Sequence, residues 1–320
     1  MSRVLPFLLG AASVVSVAAA SAPLSRSVIA SAPVRGLAAD GSLTAFAVGA
    51  RAHDCRHVVL WNRAAGSAAR LGRAKPCGEV TSTGSGLVGP SLAGTRALWL
   101  SYAGGNIREW ALLSGTAANR TPKQIRFIAR DVDGPGPVVL GEGDSSKFGY
   151  LLPYAVDSKL YALRADGRSI LYLTASARIV AVAAKGGELA AALETGPVVI
   201  LEGPNRIVRT ESFAGKVDAV RITGYALVAQ QGRILALRAG GAHRAWTLPP
   251  GAKLADAEGS LAVYVRGKEV RLLSLTTGKD ILFHRAATAP LAQLEPGGLV
   301  YAVGRKITFV PAAQLAARLR

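Results

Sequence analysis

A short alternating apolar strand closed by a turn ending in glycine recurs along almost the whole chain, and this recurrence constrains the fold most. It reads Val58-Val59-Leu60-Trp61-Asn62-Arg63-Ala64-Ala65-Gly66, then Ile107 to Gly115, Leu160 to Gly167, Ile234 to Gly241 and Val270 to Gly278. Looser copies run from Val198 to Gly203 and from Ile307 to Pro311. A second apolar strand precedes each copy, at Leu43 to Val48, Ala97 to Tyr102, Tyr150 to Val156, Leu189 to Leu193, Tyr225 to Ala229, Leu261 to Val265 and Leu299 to Val303. Links such as Gly232-Arg233, Gly267-Lys268 and Gly304-Arg305 are short enough to make hairpins of these pairs. The alternation has the two-residue period of a strand, not the three- and four-residue spacing of helical repeats.

The closing glycines at 167, 203, 241 and 278 stand 36, 38 and 37 residues apart, a blade-sized period. Wider spacing from Gly66 to Gly115 and from Gly115 to Gly167 places insertions in the second and third units. A short multistranded unit buries both faces only by stacking radially on its neighbours. The expected fold is therefore all-β: a single β-propeller of seven blades, with six and eight as the alternatives, spanning residues 21–314. The last unit, Leu291 to Pro311, lacks a fourth strand, and Arg26 to Ala32, with Val28-Ile29 at its centre, is expected to supply it and close the ring. Ala312 to Arg320 reads as a short helix or tail, with Leu315 and Leu319 on one face and a domain boundary after residue 314.

Leu37-Ala38-Ala39-Asp40-Gly41-Ser42-Leu43-Thr44-Ala45-Phe46, followed by Val58-Val59-Leu60-Trp61-Asn62 and Gly66, resembles a unit of the extracytoplasmic TolB-type propellers. Ala257-Glu258-Gly259-Ser260-Leu261-Ala262-Val263-Tyr264 is a fainter second copy. The pattern is WD-repeat-like across residues 33–312, although the Gly-His and Trp-Asp signatures of WD repeats are missing. The resemblance implies a fold and assigns no functional residue.

Met1-Ser2-Arg3 is a basic start, Val4 to Ala20 an uncharged apolar run, and Ala18-Ala19-Ala20 the small residues of a cleavage site. Residues 1–20 thus read as an export signal. Pro6 and Gly10 weaken the run as a permanent membrane span. The expected location is secreted, periplasmic or on the exterior of the cell envelope. Cys55 and Cys77, the only two cysteines, are expected to pair in such an oxidising compartment. Removing residues 1–20 deletes one basic group, Arg3, and leaves 37 basic against 20 acidic residues. That balance favours an anionic partner, and export disfavours nucleic acid.

Four carboxylates, Asp131, Asp133, Glu142 and Asp144, crowd a Gly- and Pro-rich stretch of the third unit. They are the candidate metal ligands, with Ca²⁺ as the ion such oxygens would suit. His53 and His57 flank Cys55 in a loop, without the helix that a four-residue metal spacing needs. Trp61 and Trp110 read as equivalent strand positions packed between blades. No nucleophile elbow, P-loop, dinucleotide fingerprint or zinc-protease motif occurs.

The expected function is a non-catalytic, monomeric binding or scaffolding propeller engaging a protein or anionic polymer at the cell envelope, with no cofactor. Two alternatives stand beside it. One is a hydrolase or lyase acting on polysaccharide from the central channel. The other is electrostatic attachment to cell-wall polymer or membrane surface.

Overall fold

The structure is a computed structural model that describes residues 27–77, 84–131, 136–146, 150–224 and 226–319. The export signal read at residues 1–20 lies outside them. Seven antiparallel four-stranded sheets follow one another along the chain. Strand β1 (Ser27–Ile29) comes first. Blade 1 then comprises β2 (Val34–Asp40), β3 (Leu43–Val48), β4 (His57–Asn62) and β5 (Ser67–Leu71). Blade 2 comprises β6 (Gly86–Ala93), β7 (Arg96–Gly104), β8 (Ile107–Thr116) and β9 (Lys123–Asp131). Blade 3 has β10 (Val138–Leu140), β11 (Leu152–Val156), β12 (Lys159–Leu163) and β13 (Ser169–Thr174). Blade 4 has β14 (Ile179–Lys185), β15 (Glu188–Leu193), β16 (Val198–Gly203) and β17 (Arg206–Glu211). Blade 5 has β18 (Ala219–Thr223), β19 (Ala226–Gln231), β20 (Ile234–Ala239) and β21 (Ala242–Thr247), and blade 6 has β22 (Ala252–Glu258), β23 (Leu261–Arg266), β24 (Glu269–Ser274) and β25 (Asp280–Arg285). Blade 7 is built from β26 (Leu291–Glu295), β27 (Gly298–Val303) and β28 (Lys306–Pro311), and helix α1 (Ala312–Leu319) ends the described chain.

The seven-bladed propeller expected from the repeat is therefore the fold, and the two apolar strands of each repeat are the second and third strands of its blade. The fourth strand of blade 7 is β1, whose Val28 stands opposite Ile307. Ala30 and Ala32 follow it into the core shared with Phe46, Trp61 and Phe309. The ring thus closes by joining the two ends of the described chain within one sheet.

Each blade alternates apolar residues on both faces, and neighbouring blades bury them together. Leu151, Leu160 and Tyr172 of blade 3 pack on Val182, Leu189 and Leu201 of blade 4. At the axis the innermost strands come so close that side chains give way to glycine. A Cβ on Gly36 would overlap the Gly89 carbonyl of blade 2, and one on Gly141 would overlap the Val182 carbonyl of blade 4.

The repeat's closing glycines are not all turn residues, and Gly203 ends β16 without a left-handed backbone. Gly66, Gly167, Gly241 and Gly278 adopt the left-handed backbone of a turn. Gly115 instead lies inside β8, where it leaves room for Leu71 and the Trp99 ring. Trp61 and Trp110 both pack in interblade cores but are not equivalent. Trp61 is one residue from the closing pair Leu43–Asn62, the place Gly115 takes in blade 2 beside Arg96–Thr116.

Helix α1 sets Leu315 and Leu319 against the blade 6 and 7 core, and Arg318 lies over the Phe283 ring. The boundary expected after residue 314 falls inside this packed helix. Cys55 and Cys77 form a disulfide between the β3–β4 loop and the segment leaving blade 1. Among the described residues no helix is long and apolar enough to cross a membrane.

Candidate functional site: the central channel and its mouth

The innermost strands run the same way along the axis, so their last residues form a ring at one mouth of the channel. Hairpin register identifies the equivalent positions, because each closes a tight turn onto the second strand. They are Asp40, Ala93, Lys185, Thr223, Glu258 and Glu295. Blade 3 contributes Asp144, bridged to Leu151 across its inserted loop. Six of the seven side chains are polar, four of them acidic.

These side chains tie each blade to another. Asp40 accepts the Gly94 amide at 2.6 Å, and Asp144 accepts the Gly187 amide at 3.3 Å and the Ser146 hydroxyl at 2.8 Å. The Lys185 ammonium donates to Glu258 at 2.6 Å, and the Thr223 hydroxyl to the Gly259 carbonyl at 2.6 Å. Glu295 is bound by Arg63, a residue only 1% exposed whose guanidinium also donates to Thr44 and to the Gly41 carbonyl and lies 4.3 Å over the Phe309 ring. Burial lifts the Glu295 carboxyl to about 7, and the Asp40 and Glu258 carboxylates add to the rise against the pull of Arg63.

Deeper in the channel, strand periodicity puts Asp256 on the same side of β22 as Glu258, and Glu142 on the same side of its segment as Asp144. Glu142 of blade 3 and Asp256 of blade 6 meet there beside Arg221 of blade 5. Arg221 Nε lies 3.2 Å from Asp256 and 3.5 Å from Glu142. Asp256 also accepts the Ala257 amide at 2.7 Å and the Leu294 amide at 2.8 Å. Burial pushes the Glu142 carboxyl well above its ordinary range, and the Asp256 charge pushes it further. The two carboxyls are hydrogen-bonded to each other, and the rise favours a proton on Glu142. Burial also raises Asp256, with Arg221 opposing.

The described carboxylates of the candidate metal site, Asp131, Glu142 and Asp144, do not share one loop. Asp131 ends β9, the outermost and exposed strand of blade 2, whereas Glu142 and Asp144 stand on the channel wall. Asp133 lies outside the described residues. Among the described residues no three His, Cys, Asp or Glu side chains converge as a metal site requires. His53 is exposed on its loop, and His57 is buried with Nδ1 against the Cys55 carbonyl at 2.9 Å.

Sequence reading missed Asp40, Lys185, Glu258 and Glu295 as a group. The signal was present in the residue that precedes a hairpin glycine or Pro-Gly turn on the innermost strands of every blade but the third. The Asp40-Gly41 and Glu258-Gly259 turns that mark the repeat are two of these positions.

Above the ring, a cavity of about 500 Å³ opens between blades 1, 3, 4 and 7. Asp40, Asp144 and Glu295 give it acidic walls, while Phe309, Pro296 and Pro311 give it an apolar side.

Comparison with protein-family models and with curated proteins finds no match. Solved structures do share the fold. A chain of the mitotic checkpoint complex aligns over 97% of this chain and 99% of its own, with a TM-score of 0.58 and 16% identity. The Cps50 (Swd1) β-propeller domain of Myceliophteria thermophila aligns over 89% and 98%, with a TM-score of 0.56 and 14% identity. Raptor of Chaetomium thermophilum aligns over 91% of this chain but 29% of its own length, with a TM-score of 0.56 and 10% identity. By these likenesses the chain has a WD-repeat-like, seven-bladed β-propeller fold.

Proposed function

We propose that the protein is an extracytoplasmic, non-catalytic binding or scaffolding propeller of TolB-like type that engages an anionic partner, polymer or protein, at the cell envelope. One observation carries the reading. The rim between blades 1 and 2 gathers Arg73, Lys75, Arg120 and Lys123, all exposed. The Gly72 amide donates to the Arg120 carbonyl at 2.6 Å, so the two segments are adjacent there. Among the described residues none of the four side chains has an ion-pair or hydrogen-bond partner. Meanwhile Asp40, Glu142, Asp144, Asp256, Glu258 and Glu295 are drawn to the channel, which leaves the outside more basic than the composition suggests. Such a patch recruits anions over a Debye length of about 10 Å.

Titration with dextran sulfate tests this reading. Binding is expected to weaken steeply with salt and to vanish by about 300 mM. The fourfold variant Arg73→Ala, Lys75→Ala, Arg120→Ala, Lys123→Ala is expected to lose it. Binding that is indifferent to salt or to the fourfold change overturns the reading. Parallel binding to vesicles of anionic lipid marks surface attachment as the physiological form.

The Glu142–Asp256 pair favours a second reading, a polysaccharide hydrolase or lyase, because two adjoining buried carboxyls, both shifted upward by burial, are suited to acid–base work. Its weakness is that Asp256 is already saturated by Arg221, two amides and Glu142. Cleavage of an acidic polysaccharide by the wild type, lost in a folded Glu142→Gln variant, would promote this reading.

A further inference from the structure

We propose that the channel mouth is a binding site for an organic cation carried on an apolar body, an alkylammonium or guanidinium group seated between Asp40 and Glu295 against Phe309. The inference is independent of the basic rim. It starts from charge balance: among the described residues the mouth ring holds four carboxylates, Asp40, Asp144, Glu258 and Glu295, against two cations, Arg63 and Lys185, inside a chain of formal charge +18. Both cations are committed, Lys185 to Glu258 and Arg63 to the Oε1 atom of Glu295.

The second observation is at Glu295. Its side chain is 2% exposed, it lines the cavity, and its Oε2 atom has no hydrogen-bond partner. A buried, unpaired carboxylate oxygen costs free energy until a donor reaches it. A cationic donor restores that hydrogen bond and offsets part of the excess negative charge. The carboxylate of Asp40 faces the same cavity with one oxygen given to Gly94. Phe309, Pro296 and Pro311 supply the apolar side, which suits the stem of a lysine side chain or a free aromatic amine more than a bare ion. The walls come from different blades with different side chains at equivalent positions, so the site is directional although the fold is pseudo-symmetric.

The site predicts a proton linkage. Glu295 is faced by Arg63 after β4, Asp40 from β2 and Glu258 from β22, and burial among these groups leaves it partly protonated near neutrality. Cation binding expels that proton, so affinity rises with pH.

The test uses the intact protein, with amide shifts of Gly41 and Gly297 as the readout. Phenethylammonium is titrated beside its neutral isostere phenethyl alcohol, and beside N-acetyl-lysine methylamide, which separates a partner's lysine from a free aromatic amine as the source. The ammonium is expected to bind about tenfold or more tightly than the alcohol, as a charge-assisted contact requires. Affinity should rise about threefold or more from pH 6 to pH 8 in the wild type and stay flat in Glu295→Gln. Asp40→Asn, which keeps an acceptor for the Gly94 amide, is expected to weaken binding about fivefold or more. Equal binding of ammonium and alcohol to the wild type overturns the proposal without recourse to any variant. So does unchanged ammonium affinity in folded Asp40→Asn and Glu295→Gln. Dextran sulfate binding should persist in both variants, which keeps failure here distinct from failure at the rim.

Discussion

Val28 pairs with Ile307, so one antiparallel ladder joins the start and end of the described chain and turns a row of blades into a ring. The contact is short, Ser27–Ile29 against Lys306–Thr308, yet it carries Ala30 and Ala32 into the core between blades 7 and 1. Closure is therefore a packing event as much as a hydrogen-bonding one.

Deleting residues 27–32 removes that ladder and exposes Phe309 and Val300. The expected loss is about 3–5 kcal/mol from apolar burial and ladder bonds together. Thermal melting should fall by about 10 °C. An unchanged melting temperature would exclude closure through this strand.

Arg63 is the counter-ion of Glu295 and also ties Thr44 and Gly41 of its own blade. Arg63→Ala leaves a buried carboxyl alone, at an expected cost of about 3–5 kcal/mol in urea unfolding. Arg63→Met combined with Glu295→Leu should recover most of that, because the uncompensated charge goes with its partner.

Stability should depend on pH through the channel acids. Glu295 ionises near 4.5 when unfolded and at about 7 when folded. Its stabilising contribution is thus complete below about pH 4.5 and is lost as pH rises through 7, on the order of 1–3 kcal/mol. Glu142 and Asp256, also raised by burial, act in the same direction. The melting temperature should therefore fall from about pH 5 to pH 8. Glu295→Gln should reduce that fall, and Glu142→Gln should reduce it independently. A melting temperature that climbs over this range contradicts the assignment.

Reducing the Cys55–Cys77 bond, which closes a 22-residue separation, should cost about 3 kcal/mol by loop-closure entropy. Calorimetry with and without reductant measures it. Intact mass should rise by about two hydrogens on reduction.

The strand pairs were legible because their information is local. Two-residue alternation at Leu43–Val48 and Val58–Leu60 and the tight turns between such pairs need no distant partner to be recognised. The missing fourth strand of the last blade, and the spare apolar segment at Val28-Ile29, also showed in the linear order. Equivalence of Trp61 and Trp110 misled, because side chains of similar size suggested a register that the ladder itself sets otherwise.

The sequence by itself determined an all-β ring of repeated hairpins, where it would close, and which cysteines could meet. Only the tertiary structure decided that Asp40, Asp144, Lys185, Glu258 and Glu295 form one ring, and that Glu142 meets Asp256 beside Arg221. Those residues stand one or two per blade, dozens of positions apart, and rotation of the blades about a common axis brings them together. Strand periodicity records which face a side chain takes, but the axis it faces exists only after the last blade has closed on the first strand.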